Sequence, residues 1–200
     1  MMLEYVIALL VALSFHEAAH AFVANALGDP TAKHEGRITL NPLKHLDLVG
    51  TVMFIFFHIG WGKPVPYNPN NLDNPKIGGL LIGLAGPLSN FVIAIISALL
   101  LKFVIPILVP SLMGFFYILI LINLALGIFN FLPFEPLDGA KIFTAMIPDK
   151  YWHITQEWLK NGPYILIGIL FCEYILNIPI LSGIIYFFLR LFMTAFGFSF

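Results

Sequence analysis

Apolar stretches long enough to cross a lipid bilayer constrain this sequence more than any other feature. About 20 helical residues span the hydrocarbon core of a membrane. Residues with hydrophobic side chains make up 60% of the chain and charged residues only 10%, whereas soluble domains carry roughly 25% charged residues. The mean hydropathy is +0.92. We therefore interpret the chain as a polytopic membrane protein with about five spans, at 2–27, 77–101, 112–132, 163–175 and 180–196.

The remaining segments predict smaller elements around these spans. Residues 48–59 are apolar but number only about 12, so they favour a short re-entrant helix over a full crossing. Polar and apolar residues alternate over 37–40, which predicts a short strand, and 63–67 is expected to be extended. The fold class is thus all-α and polytopic, with a re-entrant helix and a small membrane-associated β element. We expect one domain over 1–200, with its core in 1–148 and an accessory helix pair in 163–197.

The charge pattern bears on partners and on topology. A formal net charge of −1 does not favour nucleic acid as a partner, and the single cysteine, Cys172, excludes an internal disulfide or a cysteine-based zinc site. If 48–59 does not cross, the positive-inside rule places the N-terminus outside and the C-terminus in the cytoplasm. Most basic residues then lie on the cytoplasmic side: Lys33, Arg37, Lys44, Lys63, Lys76, Lys141, Lys150 and Lys160.

The first span carries the motif His16-Glu17-Ala18-Ala19-His20. Positions i and i+4 of a helix share one face about 6 Å apart along the axis, so both imidazoles can reach one zinc ion. Glu17, one step round, can then take a proton from a water molecule. The alternative is that these histidines only pack against polar neighbours, but each ionisable group inside a span costs about 2.5–3.5 kcal/mol. The motif therefore indicates a metal site.

A catalytic zinc site normally has a third protein ligand, and Asp138 is the best candidate. It follows two prolines that interrupt the preceding span, and irregular backbone at membrane depth is tolerated where it lines protein or a wet cavity. The alternative role of Asp138 is to cap the short helix predicted for 138–147. Asn123 and Asn130 share a helical face, and either bond to each other or serve the site.

Five motifs in this order resemble the site-2 protease family of intramembrane metalloproteases, peptidase family M50, in its compact subgroup without PDZ or CBS domains. They are FHEAAHA, GDPTAKHEGRITLNPLKHLD, GWGKPVPYNP, AGPLSN and NFLPFEPLDG, and the resemblance runs from about residue 14 to residue 148. The resemblance implies that His16, His20 and Asp138 bind one zinc ion, that Glu17 is the catalytic base and that Asn130 stabilises the oxyanion. Ala140-Lys141 and Gly62 depart from the residues common at these positions, and neither departure touches the metal set.

Other polar residues receive structural interpretations. For His45 we favour a hydrogen bond at a strand end over a further metal contact. His34, His58 and His153 have no partner pattern. Gly79 and Gly83 are expected to let helices approach closely, and Asn90 to be a packing amide.

The function predicted from these features is hydrolysis of peptide bonds within or near transmembrane segments of membrane-protein substrates. The substrate helix must unwind first, and either predicted extended segment, 37–40 or 63–67, could hold it by β-augmentation. We expect a multi-pass protein of a prokaryotic plasma membrane with its site toward the cytoplasm. One alternative is a metal transporter, but a transporter is expected to have ionisable residues through the full membrane depth. The other is a catalytically silent zinc-binding scaffold, which usually lacks the Glu or one of the ligands.

Overall fold

The computed structural model describes residues 2–57 and 60–198 of the chain, and this part is built almost entirely from helices. Nine α-helices are described, several of them joined by short 3₁₀ turns. Their bounds are α1 Met2–Ala26, α2 Thr31–His34, α3 Leu48–Phe57, α4 Pro75–Phe103, α5 Ile105–Leu108, α6 Met113–Asn130, α7 Asp138–Met146, α8 Trp152–Leu176 and α9 Leu181–Ala195.

Four of the described helical segments are long and apolar enough to cross a membrane, judged by length and composition. They are Met2–Ala26, Pro75–Phe103, Pro110–Asn130 and Asp149–Leu176. The fifth predicted span corresponds to α9, which has 15 residues and is shorter than the roughly 20 that a perpendicular crossing needs.

Helix α4 occupies the centre of the bundle and packs against α1, α6 and α7. Asn74 starts this helix, since its side chain accepts the amide hydrogens of Lys76 and Ile77. One hydrophobic cluster joins α4 to α6 and also includes Met193 of α9. The last helix is therefore packed into the same core as the helices of the predicted catalytic region.

From their polar composition, residues 149–162 are expected to form a non-helical joint before the last two predicted spans. The structure shows that they are helical instead. Helix α8 begins at Trp152 and continues through Pro163. It packs over the loop before α7, because the indole of Trp158 donates to the carbonyl of Pro133 at 2.6 Å and Gly162 lies against the backbone of Glu135. This long-range packing outweighs the local helix-breaking preference of Gly162-Pro163.

The strand predicted at 37–40 does not form. The amide of Thr39 donates to the carbonyl of Arg37 at 3.0 Å, so the backbone turns there. The β structure of the described residues is an isolated antiparallel bridge between Leu46 and Gly62, beside which the amide of Lys63 donates to the carbonyl of His45 at 2.7 Å.

A buried carboxylate joins the end of α1 to the segment before α4. The side chain of Asp29 accepts hydrogen bonds from the amide of Asn68 at 2.7 Å and from the side chain of Asn71 at 2.7 Å. The chain between Asp29 and Asn68 therefore starts and finishes at the same end of the bundle. This is expected if segment 48–59 does not cross the membrane. Helix α3 is described to Phe57; the last two residues of that predicted segment, including His58, lie outside the described residues.

Candidate metal centre

Two histidines of α1 form one side of the site. His16 and His20 are one helical turn apart, and their rings meet edge to face with centroids 4.7 Å apart. Their Nε2 atoms are 3.1 Å apart, and both residues are buried. The i, i+4 spacing therefore directs both imidazoles to one point, as the sequence predicts.

Asp138 completes the cluster from the other side of the bundle. Its Oδ2 lies 3.1 Å from Nε2 of His16 and 3.0 Å from Nε2 of His20. Asp138 is the first residue of α7, and Leu137 occupies the N-cap position without a side-chain cap bond. The carboxylate thus faces the histidines, and no side-chain bond caps the helix at this position.

Close backbone contacts hold Asp138 in this position. A side chain at Gly139 would collide with the carbonyls of Phe131 and Leu132, so the residue after Asp138 must be glycine for the preceding loop to fold under it. On α4, a Cβ at Gly83 would lie 3.2 Å from the carbonyl oxygen of Asp138. Gly83 therefore does permit the close helix approach that the sequence predicts.

The ring nitrogens that face away from the cluster are hydrogen-bonded to oxygen atoms of α4. Nδ1 of His16 lies 2.7 Å from Oδ1 of Asn90, and Nδ1 of His20 lies 2.6 Å from the carbonyl of Ile82. An amide or carbonyl oxygen only accepts, so each Nδ1 carries the hydrogen. In the neutral rings, both Nε2 atoms are then bare electron-pair donors that face Asp138.

Asn90 is oriented by two further contacts. Its Nδ2 donates to the carbonyl of Ala12 at 3.1 Å and to Oδ1 of Asn123 at 2.9 Å. Asn123 in turn donates to the carbonyl of Leu119 at 2.8 Å. Asn123 therefore bonds to Asn90 and not to Asn130. The packing amide expected at Asn90 is also the residue that orients His16.

The absence of a side chain at Gly86 makes room for the two imidazoles. A Cβ at this position of α4 would collide with the rings of both His20 and His16. Gly86 therefore lets α4 approach the histidine face of α1, and its neighbours Ile82 and Asn90 reach the Nδ1 atoms from the same side.

The donor set and its spacing fit a zinc ion. Zinc binds histidine nitrogen at about 2.0–2.1 Å and carboxylate oxygen at about 2.0–2.2 Å, so two ligands of a tetrahedral site lie about 3.3–3.4 Å apart. The three atoms here lie 3.0–3.1 Å apart. Because all three are electron-pair donors in neutral rings and a carboxylate, a cation between them would satisfy them together. These three residues form a group that could hold a metal ion within the described part of the chain.

Glu17 lies beside this cluster on α1 and is 9% exposed. Its carboxylate makes no hydrogen bond to another described residue, so protein donors do not occupy its oxygens. A carboxylate without protein hydrogen-bond donors is available to accept a proton from a water molecule.

Asn130 is not a member of the cluster. Its side-chain amide donates to the carbonyl of Leu126, one turn back in α6, at 3.0 Å. His45 is also separate: it is fully buried, and its Nε2 lies 2.8 Å from the carbonyl of Thr39. His45 therefore makes a structural hydrogen bond, as favoured, but not at the end of a strand, since 37–40 is not a strand. His34 and His153 are exposed.

Comparison with known proteins identifies the family. A profile of peptidase family M50 matches residues 106–171. The YwhC protein of Bacillus subtilis (strain 168), named as a candidate zinc metalloprotease, is 42% identical over 150 residues, covering 72% of this chain and 68% of that protein. The chain belongs to peptidase family M50.

A second relative is more distant. The zinc metalloprotease MJ0392 of Methanocaldococcus jannaschii is 30% identical over 150 residues, which cover 74% of this chain and 35% of that protein. No solved structure matches the chain. With its several long apolar helices, this member of family M50 is a multi-pass membrane protein.

One polar contact in this family M50 site was not anticipated from the sequence. Nζ of Lys141 donates to Oδ1 of Asp138 at 3.1 Å. The i, i+3 spacing of the two residues on a predicted helix was the available signal, because such positions are neighbours on a helix surface. The departure at Ala140-Lys141 therefore does touch one of the three clustered residues.

Proposed function

We propose that this protein is an intramembrane zinc metalloprotease that hydrolyses peptide bonds within or near transmembrane segments of membrane proteins. The observation that carries the proposal is the convergence of His16, His20 and Asp138 at 3.0–3.1 Å inside a bundle of apolar helices, with Glu17 adjacent. Both relatives carry names that describe zinc metalloproteases, which supports zinc as the metal. We propose about one ion per chain, because the described residues contain one such cluster.

His16, His20 and Asp138 would hold the ion and leave its fourth position open. A zinc ion in a site of this kind supplies Lewis acidity toward a water molecule and toward a peptide carbonyl. Asn90 and the carbonyl of Ile82 keep the imidazoles in the tautomer that presents Nε2. Such outer contacts orient the ligand rings.

Glu17 would act as the general base and then as the general acid. It accepts a proton from the attacking water and passes one to the departing amine of the peptide bond. The proposal is supported by its place beside His16 on α1 and by the lack of a hydrogen bond to any other described residue, which leaves its carboxylate available for both transfers.

Asn130 would donate a hydrogen bond to the oxyanion that develops on the scissile carbonyl. Its amide is bonded within its own helix to Leu126, so this role requires the side chain to exchange that bond for one to the substrate. Asn130 is half-buried at the last position of α6, where the loop that leads to Asp138 begins.

The substrate would bind as an unwound segment, because all amides of an intact helix are bonded internally. Two segments are expected to bind the substrate by β-augmentation. Because the backbone turns at 37–40, we propose that 63–67 is the segment that binds it. Lys63 already uses its amide for the carbonyl of His45 and its carbonyl for the guanidinium of Arg37. A substrate strand would therefore pair with the other edge, where Pro64 and Pro66 have carbonyls and no amide hydrogen.

The whole described chain is proposed to act as one domain. The core at 1–148 contains all the site residues, and the helix pair at 163–197 is attached to it through Met193 in the α4–α6 cluster and through the contact of Gly162 with Glu135.

The test is cleavage of synthetic transmembrane segments in detergent by wild type and Glu17→Gln, with zinc analysis of both. The variant keeps shape and hydrogen bonding, so zinc content is retained. Because general acid–base groups contribute on the order of 100- to 10,000-fold in rate, its cleavage nearly vanishes. If Glu17→Gln cleaves as fast as wild type with zinc intact, the mechanism is wrong. If wild type binds zinc and cuts no segment, the result favours a silent scaffold or a transporter.

A further inference from the structure

The two carboxylate oxygens of Asp138 have different partners. Oδ2 faces the Nε2 atoms of His16 and His20 at 3.1 and 3.0 Å, whereas Oδ1 accepts a hydrogen bond from Nζ of Lys141 at 3.1 Å. The carboxylate is 9% exposed and the lysine side chain 35% exposed. Oδ2 thus contacts the two histidines, whereas Oδ1 contacts the ammonium group of Lys141.

The packing of Lys141 holds its ammonium group at this place. A Cβ at Gly83 of α4 would lie 3.2 Å from Cβ of Lys141, so the base of the lysine side chain is pressed against α4. Further along, Nζ lies 5.8 Å from the ring centroid of Tyr67, at a distance where an aromatic face attracts a cation. The lysine is therefore held between α4 and the 63–67 segment, with its charge directed at Asp138.

We propose that Lys141 is a positioning residue that keeps Asp138 a one-oxygen ligand and thereby keeps the fourth coordination position open. This inference rests on the proposed function. A carboxylate can bind a metal through one oxygen or through both, and a second oxygen would take up the position that the water and the substrate carbonyl need. A charge-assisted hydrogen bond to Oδ1, of the stronger kind, opposes that change.

A competing role for Lys141 is contact with the substrate. The residue also lines a cavity of about 490 Å³ between α4, α7 and α8, together with Tyr67, Lys76, Thr144, Trp152 and Gln156. Lys76 provides a matched control, since it lines the same cavity and also pairs with an aspartate: its Nζ lies 2.6 Å from Oδ1 of Asp149. Of these two lysines, Lys141 contacts the metal cluster and Lys76 does not, so the loss of Lys141 is expected to change the metal site and the loss of Lys76 is not.

The experiment uses the full-length protein with Co²⁺ in place of zinc and compares wild type with Lys141→Met, Lys141→Arg and Lys76→Met. The visible absorption of Co²⁺ is more intense in four-coordinate than in five-coordinate sites. We expect the absorption to weaken in Lys141→Met as Oδ1 joins the metal. Zinc affinity, measured by chelator competition, is expected to rise about 10-fold, because the site gains a metal–oxygen contact and loses a neighbouring positive charge. Lys141→Arg restores both readouts, and Lys76→Met leaves both at the wild-type values.

An unchanged cobalt spectrum and zinc affinity in Lys141→Met overturns the inference, and a raised KM alone in that variant assigns Lys141 to the substrate instead. If Lys141→Met does not fold, Lys141→Gln replaces it, because glutamine retains an N–H donor without the charge. Its cobalt spectrum and zinc affinity are then compared with those of Lys141→Arg. These failures leave the proposed function intact. That function fails separately if wild type takes up no metal, or if Ala at His16 or Asp138 does not reduce uptake.

Discussion

Asn90 on α4 holds His16 on α1 in a single tautomer. Its Oδ1 lies 2.7 Å from Nδ1 of His16, while its Nδ2 is bonded to the carbonyl of Ala12 and to Asn123. The two ends of the amide cannot be exchanged without losing all three contacts. The orientation of one α1 imidazole is therefore set by a network that extends through α4 to α6.

Replacing Asn90 by Leu is expected to lower zinc affinity by about 10- to 100-fold, the range for partners that orient metal ligands, because His16 loses its acceptor. Asn130→Leu is the contrasting variant. It should retain zinc but lose about 10²- to 10³-fold in kcat, the effect of removing one oxyanion donor. Chelator competition and peptide cleavage measure the two effects. Equal zinc affinity in Asn90→Leu and wild type would show that the contact does not orient the ring.

The identity of the third ligand is tested by Asp138→Ala. Wild type should purify with about one zinc per chain, since two histidines and one aspartate leave a catalytic fourth position, and Ala at His16, His20 or Asp138 should lower that content. Asp149→Ala is the control, because this aspartate pairs with Lys76 outside the cluster. Full zinc retention in Asp138→Ala, measured by elemental analysis, would mean that another residue is the third ligand.

Gly86→Ala is expected to abolish metal binding, because the added Cβ would collide with the imidazoles of His20 and His16. Gly168→Ala in α8 is the matched control, as nothing lies within 4 Å of its added Cβ. There the same substitution should raise stability by up to about 1 kcal/mol through helix propensity. Zinc analysis and thermal unfolding in detergent distinguish the two. Normal zinc content in Gly86→Ala would contradict the close helix contact described here.

Asp29 is expected to make stability depend on acid pH. Burial alone would raise the pKa of this carboxyl, but hydrogen bonds from Thr31, Asn71 and the amide of Asn68 outweigh it and hold the pKa below its ordinary value. A lowered folded-state pKa stabilises the protein above the unfolded value of about 3.9, and this contribution is lost as the pH falls below it.

The variant Asp29→Asn should therefore be less stable than wild type at pH 7, with a difference that shrinks as the pH falls below about 4. Asp73→Asn, an exposed aspartate of the neighbouring turn, is the control and should follow wild type. Thermal unfolding across this pH range measures both. A constant difference at all pH values would assign the loss to packing rather than to charge.

The topology is tested by cysteine labelling in a Cys172→Ser background. Single cysteines at Lys33, Lys76 and Lys150 should all react with a membrane-impermeant reagent from one side, the cytoplasmic side, and a cysteine at Lys102 from the other. The contacts of Asp29 with Asn68 and of Lys76 with Asp149 place the first three at one end of the bundle. Labelling of Lys33 and Lys76 from opposite sides would require α3 to cross the membrane.

Features that depend on local spacing could be predicted from the sequence. The i, i+4 placement of His16 and His20 follows from helix periodicity alone. The length of the apolar stretches predicted the long helices, and the Leu137-Asp138-Gly139 motif indicated the carboxylate. The predictions of a strand at 37–40 and of a joint at 149–162 were wrong. The sequence patterns behind them are short and weak, and contacts with distant segments outweighed these local preferences. For α8 these were the contacts of Trp158 and Gly162 with the loop before α7.

The sequence by itself determined the membrane-spanning character of the chain and the residue types that can bind a metal. Only the tertiary structure decided how those residues meet. The contact of His16 with Asn90 joins positions 74 residues apart, and that with Asp138 joins positions 122 apart. No local pattern specifies such pairs. They depend on the close approach of α1, α4 and α7, because a side chain at Gly86 would collide with both imidazoles. A side chain at Gly139 would collide with the loop that precedes α7, and one at Gly83 would crowd the carbonyl of Asp138.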